Sequence, residues 1–93
     1  MISAILQQKI VDYLKPYKPT RVGIFGSYAR NQQRQDSDLD ILVNFEKTVN
    51  LLDFVGIEMD LTDILGIKVD LVSEKSILPA MRPYIEKDLH ILL

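Results

Sequence analysis

Three aspartates sit where the surrounding sequence is otherwise apolar. Asp38 and Asp40 open the run Asp38-Leu39-Asp40-Ile41-Leu42-Val43, and a strand's period of two sends their side chains from the same face. Asp70 stands inside Val69-Asp70-Leu71-Val72, where a carboxylate needs a partner because burying an unpaired charge is very costly. If the two strands are neighbours, all three carboxylates converge and repel one another. A divalent cation relieves that repulsion, and an all-oxygen site suits Mg²⁺ or Mn²⁺. The bland alternatives are that Asp38 and Asp40 lie on a solvated strand face and that Asp70 pairs with Lys68 or Arg21.

A second constellation is Gly26-Ser27-Tyr28-Ala29-Arg30. A glycine at a strand end admits close approach to the backbone. A helix start after it offers N–H groups, and with the Ser27 hydroxyl these suit a phosphate. Arg30 either adds charge toward that phosphate or braces the loop against an acidic residue; the sequence does not choose. Tyr28 is expected to pack on the strand rather than to meet a nucleotide. A phosphate cradle beside a carboxylate cluster points to phosphoryl or nucleotidyl transfer, in which two metals roughly 3.5–4 Å apart clamp the attacking and leaving oxygens. Taken alone, Gly26-Ser27 is better explained as an ordinary strand-to-helix turn.

The elements that position these residues alternate. Ser3 to Leu14 reads as a helix with Ser3 as N-cap and Ile5, Leu6, Ile10, Tyr13 and Leu14 on one stripe; Pro16 and Pro19 stop it. Arg21 to Phe25 is a strand, Tyr28 to Arg30 a short helix start, Asn31 to Ser37 a polar loop, and Asp38 to Phe45 a second strand. Asn50 caps a helix to Leu65, with Asp53 near the positive end of its dipole. Leu51, Phe54, Val55, Glu58, Leu61 and Leu65 trace its repeat, and Gly66 ends it. Lys68 to Val72 is a third strand. A last helix is expected after Ser76 toward Lys87, disturbed by Pro79 and Pro83, and His90 to Leu93 forms a short edge strand. Such alternation implies an α/β (α+β) fold, a small mixed sheet flanked by helices. Glu58 on an apolar helix side could face a partner protein, although helix ends and surfaces explain it equally well. Arg82 and Lys75 could reach the site's rim, although a solvated face explains them as simply, as it does Arg34.

The whole chain, 1–93, reads as one domain: 93 residues hold one modest core, and so small a domain has apolar surface left for a partner. A net charge of −2 with mixed signs argues against direct nucleic-acid binding, which needs a basic patch. With no cysteine, disulfides, thiolate zinc sites and cysteine nucleophiles are excluded. The one histidine, His90, cannot form a histidine metal cluster and is expected at the surface. The chain shows neither a membrane-length apolar stretch nor a signal-peptide pattern at its start, so a soluble cytoplasmic protein is expected.

The string Gly26-Ser27-Tyr28-Ala29-Arg30, a seven-residue loop ending at Ser37, then Asp38-Leu39-Asp40, with a strand aspartate about thirty residues later, resembles the signature of the DNA polymerase β-like nucleotidyltransferases. It looks closest to the minimal nucleotidyltransferases, antitoxins encoded beside HEPN-domain partners. The likeness extends over nearly the whole chain. It departs from the family where a glycine often follows the arginine; here Asn31, which tolerates a left-handed backbone, should preserve the turn. The resemblance implies that Gly26, Ser27, Arg30 and Ser37 bind the nucleotide. It implies that Asp38, Asp40 and Asp70 are catalytic and hold two Mg²⁺ ions, with Mn²⁺ as the alternative, and that Asp70 helps deprotonate the acceptor. ATP would donate AMP to a tyrosine hydroxyl of a HEPN RNase toxin, silencing it within a hetero-oligomer, with a homodimer also open.

Two other functions fit parts of the same pattern. One is an antitoxin that masks its toxin by binding alone, which three mutually repelling carboxylates argue against. The other is transfer to a small molecule or to RNA, for which relatives usually carry an extra domain.

Overall fold

The computed structural model describes residues 2–93. Helix α1 (Ala4–Leu14) begins at Ser3, whose hydroxyl accepts from Leu6 N at 3.2 Å, and runs into a short 3₁₀ turn at Lys15–Tyr17. Strand β1 (Pro19–Phe25) follows, two residues longer at its start than the β-branched run alone indicates. Strand β2 spans Leu39–Phe45, so Asp38 lies just ahead of it rather than within it. Helix α2 (Leu51–Leu65) is capped by Asn50, which accepts from Asp53 N at 2.8 Å, and is closed by Gly66 at φ +68°. Strand β3 spans Val69–Ser73.

The C-terminal region departs most from its sequence reading. A 3₁₀ turn occupies Glu74–Ser76, and helix α3 is confined to Arg82–Asp88. Pro79 lies outside it and Pro83 falls in its first turn, where a missing N–H costs nothing. Strand β4 is only His90–Ile91.

The four strands make a mixed sheet in the order β3-β2-β1-β4. Strand β1 pairs antiparallel with β2 and β4, while β2 and β3 are parallel. A parallel pair needs a crossover, which α2 provides. Residues opposite one another in register share a face. One face carries Val22, Ile24, Leu39, Ile41, Val43, Phe45, Val69 and Leu71, and joins Ile10 and Leu14 of α1 and Ile57, Leu61 and Leu65 of α2 in a single core. The helix stripes were only partly legible: Ile5, Leu51 and Val55 are exposed, and Ile57 takes the core position that the repeat missed.

Strand β3 is an edge, and α2 closes it. Thr62 Oγ1 accepts from Val69 N at 3.0 Å and Glu58 Oε2 from Leu71 N at 2.7 Å. Side chains thus take the place of a further strand. Glu58 therefore does not await a partner protein.

The opposite sheet face carries Arg21, Gly23 and Phe25 of β1, Asp40, Leu42 and Asn44 of β2, and Asp70 and Val72 of β3. Helix α3 crosses part of it. Gly23 makes room: a β-carbon there would lie 2.6 Å from Leu89 Cδ1 and 3.1 Å from His90 O. At the end of this face formed by Arg21 and Asn44, Arg21 bonds Glu74 at 2.7 Å and Glu86 at 2.9 Å, and Arg82 joins Glu86 at 3.5 Å. Lys75 reaches Phe45 O at 3.4 Å. Arg82 and Lys75 thus stand at the end remote from the three aspartates, not at a rim around them. Among the described residues no helix is long and apolar enough to cross a membrane.

Candidate active site

The end of β1 and the starts of β2 and β3 meet on this second face. Phe25 is opposite Asp40, and Asp40 is opposite Asp70 in the parallel register. The two carboxyls face each other closely enough for Asp70 to act on Asp40. Asp40 is half-buried, and its pKa rises from 3.8 to about 6. Burial is the largest cause, followed by the interaction with Asp70 and the charge of Asp38; Arg30 pulls the other way.

Asp70 itself is exposed. Its position in an apolar strand therefore does not signal a buried charge in need of a partner: β3 lies at the sheet edge, and Asp70 emerges on the face that α3 leaves uncovered. Neither proposed ion-pair partner holds it. Arg21 is engaged with Glu74 and Glu86, and Lys68 Nζ stands 3.9 Å from Asp38 Oδ2 instead. With Asp38 turned to Lys68, no three acidic or histidine side chains among the described residues are drawn together at ligation spacing. The donor chemistry nonetheless fits a divalent cation: three carboxylates lie within electrostatic reach, and Asp40 bears the cost of their mutual repulsion.

Beside them lies the glycine turn. Gly26 has φ +74°, a conformation that L side chains avoid. A β-carbon at Gly26 would fall on Asp40 Oδ2 and lie 3.2 Å from its Cγ. The helix start expected after Gly26 goes no further than a single turn. It spans residues 27–31, with Arg30 N bonded to Gly26 O at 3.2 Å, Asn31 N to Tyr28 O at 3.3 Å and Gln32 N to Ser27 O at 2.9 Å. Asn31 closes it in the left-handed region at φ +56°, as its tolerance of that conformation allows. Tyr28 is buried in the core and anchors the turn from beneath.

The other sequence-selected residues have other partners. Ser37 Oγ accepts from Arg34 N at 2.8 Å and so shapes the loop ahead of Asp38. Arg30 bonds Asp88 at 2.7 Å through Nη1 and Gln32 at 3.1 Å through Nε, which realises the bracing alternative while leaving its charge close enough to act on Asp40. His90 is exposed on β4. Asp88 was not visible from sequence as part of this region, because 58 residues separate it from Arg30 and no local pattern marks it.

The model of the nucleotidyltransferase domain matches residues 7–92. A Methanocaldococcus jannaschii relative, named provisionally as a protein adenylyltransferase, is 51% identical over 88 residues, covering 95% of this chain and 87% of its own. Protein adenylyltransferase MntA of Thermococcus cleftensis is 40% identical over 76 residues, covering 82% of this chain and 77% of its own. Among solved structures, a toxin–antitoxin complex with AMP-PNP superposes with a TM-score of 0.85 at 26% identity, over 94% of this chain and 72% of that one. A structure assigned provisionally as a minimal nucleotidyltransferase gives 0.79 at 36% identity, over 90% and 86%. With the family model matching residues 7–92 of the 93 and the glycine turn facing the paired aspartates, the chain belongs to the nucleotidyltransferase domain family.

Proposed function

We propose that this protein is a protein adenylyltransferase antitoxin, transferring AMP from ATP to a tyrosine hydroxyl of a HEPN-domain RNase toxin and thereby neutralising it. One observation carries the reading: Asp40 and Asp70 are opposite one another in register, directly beside the Gly26–Ser27 turn. On this reading an acceptor's reacting oxygen and a nucleotide's phosphates would share one small patch of sheet. The similarity to protein adenylyltransferase MntA and to a toxin–antitoxin complex supports the choice of acceptor.

The chemistry assigns work to the chain's own groups. Asp38, Asp40 and Asp70 would hold two Mg²⁺ ions, which supply charge neutralisation at the reacting phosphate. The turn at Gly26 and Ser27 receives the triphosphate, and Arg30 adds positive potential there. The acceptor oxygen attacks the α-phosphorus, the bond to the bridging oxygen of the β-phosphate breaks, and pyrophosphate leaves with that electron pair. The hydroxyl proton passes to the exposed Asp70 carboxylate. Asp40, with a pKa of about 6, is already mostly anionic at neutral pH, and bound cations would favour that form further.

So open a site has few walls with which to grip an acceptor, which suits one delivered by a second protein. The exposed apolar row Leu51, Leu52, Val55 and Met59 on α2 is in keeping with a protein partner.

The test is incubation with ATP labelled at the α-phosphate, Mg²⁺ and a HEPN partner, beside the Asp38→Ala, Asp40→Ala double variant. Label on the toxin that disappears in the variant is the expected result. A toxin silenced equally by the double variant, with no label anywhere, would replace this reading with inhibition by binding alone.

A further inference from the structure

The nucleotide turn is tied to the other end of the chain. Arg30 Nη1 bonds Asp88 Oδ2 at 2.7 Å, and Arg30 Nε bonds Gln32 Oε1 at 3.1 Å. Two bonds to one planar guanidinium fix its orientation as well as its position. Asp88 closes α3, and its side chain is only 17% exposed against 43% for Arg30. The better-buried partner is thus the anchor and the more exposed one is the group being held. Asp88 is itself secured, because the next residue, Leu89, fills the space over Gly23 and His90–Ile91 pairs with β1. The held guanidinium lies close enough to lower the pKa of Asp40.

We infer that Asp88 is a positioning residue for nucleotide binding: through its ion pair it holds the Arg30 guanidinium beside the Gly26–Ser27 turn, where that charge meets the triphosphate. The inference rests on the nucleotide reading of the site given above. A purely structural pair would serve only to fasten α3 to the loop. A positioning pair also saves the nucleotide the cost of ordering a long, flexible side chain when it binds. The two roles therefore part in affinity, not in stability.

Titration calorimetry of ATP with Mg²⁺ on the full chain distinguishes them, with Tm followed alongside. Asp88→Asn keeps the shape and removes the charge; it should weaken ATP binding about tenfold, the scale of one charge-assisted bond. Asp88→Glu should recover part of that loss. Arg30→Ala should weaken binding at least as much, and adding Asp88→Asn to Arg30→Ala should cost nothing further, since Asp88 acts only through Arg30. Unchanged or tighter binding by Asp88→Asn overturns the inference, as do losses that add in the double variant. Wild-type protein that binds no ATP at all overturns the functional reading, and this inference with it.

Discussion

Gly26 stands so close to Asp40 that a β-carbon on residue 26 would clash with the carboxylate oxygen Oδ2. Backbone and acid are therefore matched to each other, and glycine is required on two counts: the positive φ of +74° and the space. Gly26→Ala should force the Asp40 carboxylate aside. The expected outcome is loss of most transfer activity and of Mg²⁺ binding, with a stability cost of about 1–2 kcal/mol from the left-handed conformation. Thermal melts and metal titration check it; a variant with wild-type metal affinity would show that the Asp40 position is not critical.

Asp40 makes the metal-free fold sensitive to pH. Its folded pKa of about 6 exceeds its ordinary 3.8, so the folded state binds the proton more tightly than the unfolded one. The stabilisation is complete below about pH 4 and is lost as pH rises through about 6. Asp40→Asn should accordingly raise the Tm of metal-free protein at pH 7.5, and the advantage should vanish near pH 4. Mg²⁺ should raise the Tm of the wild type at pH 7.5 and do far less for the variant, which should also be inactive. Equal Tm values for the two proteins at pH 7.5 would contradict this account.

Glu58 is expected to matter for stability alone. Its Oε2 satisfies Leu71 N at the open edge of β3. Glu58→Ala leaves that donor without its partner at a cost of about 1–3 kcal/mol, or a fall in Tm of roughly 4–24 °C for a domain this size. Glu58→Gln keeps an acceptor and should recover most of it. ATP affinity below the melting range should hold in both, which calorimetry on the folded variants would establish.

Asn31 closes the nucleotide turn at φ +56°. A β-branched residue is strongly disfavoured there, so Asn31→Val should cost about 1–2 kcal/mol and weaken ATP binding, whereas Asn31→Gly should leave ATP affinity within about threefold of wild type, since glycine adopts that conformation freely. Urea denaturation and nucleotide titration of the two variants provide the comparison.

Much of this was written in local signals. The caps Ser3 and Asn50 and the stop at Gly66 placed two helices nearly to the residue, because capping depends on side chains within three or four positions. The strand cores were equally plain from their β-branched runs. The C-terminal helix was overextended because Pro79 and Pro83 obscure its periodicity, and the turn at 27–31 looked like a helix start because a single i→i−4 bond, Arg30 to Gly26, is common to both.

What the sequence by itself determined was the inventory and the family: two aspartates at period two, a third on another strand, and a glycine-serine turn at a telling distance. Spacing along one strand assigns Asp40 to its face without coordinates, but Asp38 lies just ahead of β2, outside the reach of that rule. Only the tertiary structure decided that β2 and β3 lie parallel with Asp40 opposite Asp70, that Asp70 is exposed at an edge, that Lys68 takes Asp38 and that Asp88 takes Arg30. Such pairings depend on which strands become neighbours and on where a distant helix ends. Those outcomes follow from how the whole core packs, and no short window of sequence contains them.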